Sequence, residues 1–400
     1  MGLYLALLLW SCGGSLTLTA NAFSSATEGI RIADDNVTNY EFPSLCVTDN
    51  GDLLMGCRHG NKSHLFDKGD AVVFRSSDKG LTWDNGYVAV TDNTYDISAV
   101  ALTKLRSGRI IGVYFKGNTS TTLSVSLWTF YSDNNGIQGS WSAPSQIDNG
   151  ARMEPNSLAH VYELDNGAIL LPYQACDIAG FTNAHLRLAI STDNGASFVD
   201  WVDVVNEVGY GPKWWGEAAL FPLPNGNLRI MALDSEDGAG SSAWPSPGGP
   251  TYKNWTSFDS SDNGATWGSG TERFHANAHP EVIRTSSGKY VAAIGRRDSQ
   301  KYWTYLPSLR FSDDGTTWTG DNDEVIVDTT LNGGSYSNTT WYGTYADVVE
   351  VSPGLLAVAY SAIYWPDVAG NCYGFIRMKH YVVSNTGIHP ASMGGGASFQ

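Results

Sequence analysis

One phrase returns along this chain: Ser76-Ser77-Asp78-Lys79-Gly80-Leu81-Thr82-Trp83, Ser191-Thr192-Asp193-Asn194-Gly195-Ala196-Ser197-Phe198 and Ser260-Ser261-Asp262-Asn263-Gly264-Ala265-Thr266-Trp267. A further copy, Phe311-Ser312-Asp313-Asp314-Gly315-Thr316-Thr317-Trp318, departs only at its first residue. The Asp accepts hydrogen bonds from nearby amides, the Gly permits a positive φ, and the aromatic ring packs the turn onto a sheet. Each copy describes a self-contained hairpin turn.

A second series runs in phase with the first. Strand, turn glycine and strand follow one another from Pro43-Ser44-Leu45 to Gly51, Val100-Ala101-Leu102 to Gly108, Ser157-Leu158-Ala159 to Gly167, Ala218-Ala219-Leu220 to Gly226, Glu281-Val282-Ile283 to Gly288, and Asp347-Val348-Val349 to Gly354. The glycines are 57, 59, 59, 62 and 66 residues apart, room for four short strands per unit. Six such units predict an all-β, six-bladed propeller. The segment Ile30-Arg31-Ile32 is expected to supply an outer strand to the last blade and close the ring, which removes free edges.

Ser-x-Asp-x-Gly-x-Thr-Trp boxes on six β repeats resemble the sialidase superfamily of six-bladed propellers, over about Ile30 to Val383. In that family the box lies at the blade periphery, so it implies fold and not activity. The expected organisation is a leader or N-terminal anchor over residues 1–22, one propeller over 23–390 and a flexible tail over 391–400.

The apolar run Met1-Gly2-Leu3-Tyr4-Leu5-Ala6-Leu7-Leu8-Leu9-Trp10 is too short to span a bilayer and has the length of an export signal. Ala20-Asn21-Ala22 offers a cleavage site and Leu9-Trp10-Ser11-Cys12 loosely resembles a lipoprotein box, yet no Lys or Arg precedes the run. Two readings stand: a secreted or cell-surface protein, or an anchor that docks on a virion or tail partner. No integral membrane span is expected. A net charge of −16 argues against nucleic acid and anionic membrane partners. The 14 Trp and 20 Tyr suit a glycan or glycoconjugate, whose C–H faces pack on rings. The five cysteines show no metal-ligand spacing. Counting across the Asn50-Gly51 turn sets Cys46 opposite Met55, with Cys57 a diagonal neighbour. No cofactor or metal is expected; His160 reads as a core or channel residue, and His275 and His279, four apart in a strand context, do not converge. Oligomeric state stays open.

In a propeller the innermost strands line one channel, so residues entering them share one mouth. Those positions hold Glu41, Asp96, Glu154, Glu217, His279 with Glu281, and Tyr345. The sialidase resemblance makes Tyr345 the nucleophile, Glu217 its base and Asp67 the acid/base group. It also implies three arginines around a substrate carboxylate, and here the chain departs from the pattern. Tyr40-Glu41-Phe42-Pro43 has an acid where the family has Arg, and Leu233-Asp234 lacks the second. Arg296 matches the third, and Arg58 is a further candidate. Glu41, Asp96 and Trp215 complete the expected substrate-binding set.

A mouth rich in Glu also resembles the exo-arabinanase propellers, in which two carboxylates act on a neutral sugar. Glu154 and Glu217 are the candidate pair. The sequence therefore supports an exo-acting glycoside hydrolase, sialidase-like or arabinanase-like, with a non-catalytic glycan-binding or receptor-binding propeller as the rival.

Overall fold

The computed structural model describes residues 29–391 except 34–37, 62–67, 119–120, 148–152, 157–158, 177–183, 207–213, 236–252, 276–277, 298–304, 321–324, 329–340, 365–372 and 385–386. The N-terminal run, Cys12 and the C-terminal tail lie outside the described residues, as does Asp67. Among the described residues no helix is long and apolar enough to cross a membrane.

Six antiparallel sheets are arranged as blades. Their innermost strands are Asn39–Val47, Tyr95–Lys104, Met153–Asn156 continued by Tyr162–Glu163, Trp214–Pro222, Ala278–Arg284 and Trp341–Ser352. The first and last blades touch through a parallel bridge between Asn39 and Gly374. Ile30–Ala33 pairs with the outer part of Tyr373–Ser384 in the sixth blade, and Gly387–Pro390 pairs farther along the same strand. The first and last described strands thus cover one edge together, as the closing strand expected at Ile30 requires.

Among the described residues the buried apolar side chains form six clusters, one at each interface between neighbouring blades. Leu53, Met55 and Phe74 of the first blade, for example, pack on Ala357, Ile376 and Met378 of the sixth. Leu220 and Ile230 of the fourth pack on Leu170 and Leu188 of the third. Each buried Leu, Ile or Phe contributes about 1.5–3 kcal/mol through area removed from water. The core of this protein is therefore a ring of seams around a channel.

The repeated boxes staple these seams. Within the first box Ser76 Oγ accepts the Gly80 N–H at 2.7 Å, and Asp78 accepts both the amide and the hydroxyl of Thr82. Lys79 and Gly80 are both left-handed, at φ 62° and 91°, a pair that places a backbone carbonyl outward. That carbonyl is the acceptor for the blade next door. His380 of the sixth blade bonds the Lys79 carbonyl at 2.8 Å, Arg109 of the second blade the Asn194 carbonyl at 3.1 Å, and Arg229 of the fourth the Gly315 carbonyl at 2.8 Å. The second blade carries a box too. Ser132 Oγ accepts Gly136 N–H at 3.1 Å, the ring is supplied by Trp141, and Arg75 of the first blade bonds the Asn135 carbonyl. Trp141 follows its glycine at five residues instead of three, which hides the phrase in the sequence.

One register expectation is corrected. Leu45 pairs with Met55 and Cys46 with Leu54, because the turn at Asn50-Gly51 is one residue tighter than counted. Cys46 and Cys57 are free, buried thiols, and burial pushes that of Cys46 up to about 12.

Candidate functional site

The mouth is built by one backbone device used six times. Every inner strand contains a one-residue bulge: between Glu41 and Ser44, Ser98 and Ala101, Met153 and Asn156, Gly216 and Ala218, Ala278 and Glu281, and Thr344 and Ala346. In register this makes Phe42, Ala99, Glu154, Glu217, His279 and Tyr345 equivalent. The inner strands consequently begin earlier than the sequence suggested, and the candidate acids lie within them, not ahead of them. A bulge leaves one residue unpaired and re-aims its side chain. Proline follows at three of the six, Pro43, Pro155 and Pro280, where no amide is needed for the ladder.

Four bulge residues adopt a left-handed backbone that side chains rarely tolerate: Phe42 at φ 56°, Ala99 at 54°, Glu217 at 45° and Tyr345 at 46°. Such geometry costs on the order of 1–3 kcal/mol per residue and is retained where surrounding structure enforces it. Its result is a convergence. The Tyr345 hydroxyl donates to Glu217 Oε1 at 3.3 Å across the channel, and both residues are half-buried. The Phe42 ring lies against Tyr345 with centroids 4.5 Å apart.

The remaining expected residues divide. Trp215 is corrected from the mouth to the seam between the third and fourth blades, where it is 4 % exposed and meets Phe258 edge-on at 5.3 Å. Counting by twos puts it on the Glu217 face; the bulge inserts one residue and turns it to the other. Arg58 and Asp96 are corrected from substrate binding to each other. Both are fully buried, with Arg58 Nη2 2.9 Å and Nε 3.1 Å from Asp96 Oδ1. Gly60 and Gly69 leave the room that the guanidinium fills, since a Cβ at either would collide with it. Glu41, also fully buried, is the cross-strand neighbour of Arg58. The acid that stands where a sialidase-type arginine was expected is thus set beside a guanidinium already committed to Asp96. Glu154 and Arg296 occupy strands, Glu154 in its bulge and Arg296 opposite Leu306, with side chains outside the described residues.

Below Tyr345 the channel narrows to a cavity of about 20 Å³, space for a single water, lined by Phe42, Ser44, His160, Tyr345 and Asp347 among others. His160, Glu281 and Asp347 bring ligand-type atoms within 4.8 Å of one another. With Asp347 Oδ2 at 3.1 Å, His160 Nε2 makes a hydrogen bond that a metal would have to displace. The arrangement favours a proton in that place.

The fold is that of the six-bladed sialidase propellers. The chain is similar to solved structures over about nine-tenths of its length. These include a protein of unknown function from Dyadobacter fermentans (16 % identity, 89 % of this chain and 98 % of that one, TM-score 0.69) and the intramolecular trans-sialidase from Ruminococcus gnavus (12 %, 91 % and 99 %, TM-score 0.62). A Hadza microbial sialidase, Hz136, matches at 16 % identity over 88 % of this chain and 67 % of its own, TM-score 0.61. No sequence-family model and no curated protein sequence matches the chain, so the likeness is one of fold.

Proposed function

We propose that this propeller is an exo-acting glycoside hydrolase in which Tyr345 is the nucleophile and Glu217 its base. The observation that carries the reading is the 3.3 Å hydrogen bond from the Tyr345 hydroxyl to Glu217 Oε1 between two strained bulges at the mouth. A phenol with an ordinary pKa near 10 is a poor nucleophile without such a base. In the step proposed, the Tyr345 oxygen bonds the anomeric carbon as its proton passes to Glu217. The bond to the leaving group breaks as an acid protonates the departing oxygen. Asp67 is assigned that acid from its place in the sequence. Water then releases the sugar and the phenol recovers its proton.

A phenol in place of a carboxylate nucleophile suits a sugar whose anomeric carbon itself carries a carboxylate, because a neutral attacking group avoids like-charge repulsion. A solved structure of this fold holds a ligand of that kind, 2,7-anhydro-Neu5Ac in a leech intramolecular trans-sialidase, and the Ruminococcus gnavus protein holds a carboxylate compound that is not a sugar, oseltamivir carboxylate. Assay against a panel of fluorogenic sialosides, arabinofuranosides and other glycosides tests the reading. Turnover of a sialoside or related acid sugar supports it.

The burial of Arg58 against Asp96 favours one other reading, a glycan-binding propeller without turnover. Binding on a glycan array with no cleavage anywhere in the panel would select it.

A further inference from the structure

Side chains from five blades meet on the channel axis beneath Tyr345, around one imidazole. His160 leaves the interrupted inner strand of the third blade. Its Nε2 lies 3.1 Å from Asp347 Oδ2 of the sixth blade, 3.8 Å from Glu281 Oε2 of the fifth and 3.3 Å from Ser44 Oγ of the first. Its Nδ1 lies 3.2 Å from Thr103 Oγ1 of the second. The two hydroxyl oxygens are themselves held, Ser44 by the Leu102 N–H at 2.8 Å and Thr103 by the Val161 N–H at 3.1 Å. Both ring nitrogens therefore face oxygen, which a doubly protonated ring satisfies by donating to Asp347 and to Thr103.

The charges agree with that state. Burial alone would lower the His160 pKa, but Glu281 and Asp347 outweigh it and bring it up to about 9. Burial, with Asp347 adding to it, pushes Glu281 up to about 8 against the pull of His160. Asp347 and Glu281 are the carboxyl groups that face the ring. Tyr345 faces it across the cavity, the first and second blades present hydroxyls, and the inner strand of the fourth carries Glu217. Farther along the first two inner strands stand Glu41, Cys46, Asp96 and Lys104.

Asp347 follows Tyr345 by two residues on one strand. It also accepts the Leu45 N–H at 2.5 Å, while Phe42, three residues before Leu45, packs on Tyr345 and donates its N–H to Ser361 Oγ at 3.2 Å. The first and sixth blades are thus pinned above and below the cavity, and His160 closes its remaining side. We infer that His160 is a positioning residue, a protonated axial clasp on Asp347 and Glu281 that holds the Tyr345 strand so that the phenol meets Glu217. The word positioning rests on the hydrolase reading; the clasp does not.

Histidine-selective NMR, with His160 assigned through His160→Gln, tests the clasp without any substrate. The ring is expected to stay protonated to about pH 9, and Glu281→Gln to lower its midpoint by about one unit or more. Titration of His160 near the ordinary 6.5, or no response to Glu281→Gln, overturns it. Tyrosine-selective NMR tests the consequence. The Tyr345 signal, assigned through Tyr345→Phe, should shift in a folded His160→Gln protein together with its titration midpoint; an unchanged signal overturns the positioning role. Where a glycoside is turned over, His160→Gln should reduce kcat about tenfold or more with KM within about twofold. A reduction confined to KM contradicts the proposal. Should the panel show no turnover, the hydrolase reading fails while both titrations still decide the clasp. Should His160→Gln not fold, His160→Asn supplies the assignment and the parent titration and Glu281→Gln decide it.

Discussion

Tyr345 and Glu217 stand 128 residues apart in the chain and 3.3 Å apart in space, each as the extra residue of a bulge with φ close to 45°. Their meeting follows from the equivalence of the blades. One backbone irregularity, repeated at the same level of the ring, aims side chains from different blades at one axis.

Arg58 and Asp96 are an isolated test of the wall behind the mouth. Arg58→Met leaves a buried carboxylate without its guanidinium and is expected to cost about 3–5 kcal/mol in denaturant unfolding, with part recovered on adding Asp96→Asn. A stable Arg58→Met protein that loses affinity for acidic sugars would instead place Arg58 in the substrate site.

Ser76 tests the staple role of the boxes. Ser76→Ala leaves the Gly80 N–H without its acceptor at a buried position, and about 1–3 kcal/mol of stability should go with it. Glycoside turnover or glycan binding should be unchanged, since the box lies at a hairpin turn and not among the mouth residues.

The pH dependence of stability has two arms of opposite sign. Asp262 is held down to about 2 by hydrogen bonds from the Thr266 hydroxyl and amide and from Ser260, so its contribution is present above the unfolded value near 3.8 and lost as pH falls through 2. His160 and Glu281 work the other way. Their folded values, about 9 and about 8, lie above the unfolded 6.5 and 4.5, so stability from the axis is full in acid and lost as pH rises through 8 and 9. Thermal unfolding from pH 5 to 10 should show the decline, on the order of 1–3 kcal/mol, and the double variant His160→Gln with Glu281→Gln should flatten it, since without His160 alone burial still raises the Glu281 carboxyl. A decline of equal size in the double variant would assign it to other groups.

Much of the fold was legible because it repeats. The boxes at Asp78, Asp193 and Asp262, the turn glycines and the closing strand at Ile30 each carry a local signature; the fifth-blade copy was read one residue out, since Ser312 and Asp314, not Phe311 and Asp313, hold its shorter turn. The box at Ser132 was missed because its Trp141 is displaced by two residues. The Tyr345–Glu217 pair followed from placing both residues at one level of the ring. Trp215 did not, because a bulge changes the face of every residue beyond it. Phe42-Pro43, Glu154-Pro155 and His279-Pro280 recorded those bulges in the sequence, as prolines inside strands. The ion pair of Arg58 with Asp96 and the cluster around His160 join different blades. Neither has a sequence spacing that announces it.

The account stands most directly on the turnover of a fluorogenic sialoside by the parent protein and by Tyr345→Phe, with glycan binding measured on both. The parent is expected to release the fluorophore. Tyr345→Phe should lose about a thousandfold in kcat, roughly 4 kcal/mol of transition-state stabilisation, while keeping its affinity for the glycan. Equal rates for the two proteins, or binding without release across the whole glycoside panel, would contradict a Tyr345 nucleophile and leave the hydrogen bond to Glu217 as a structural contact.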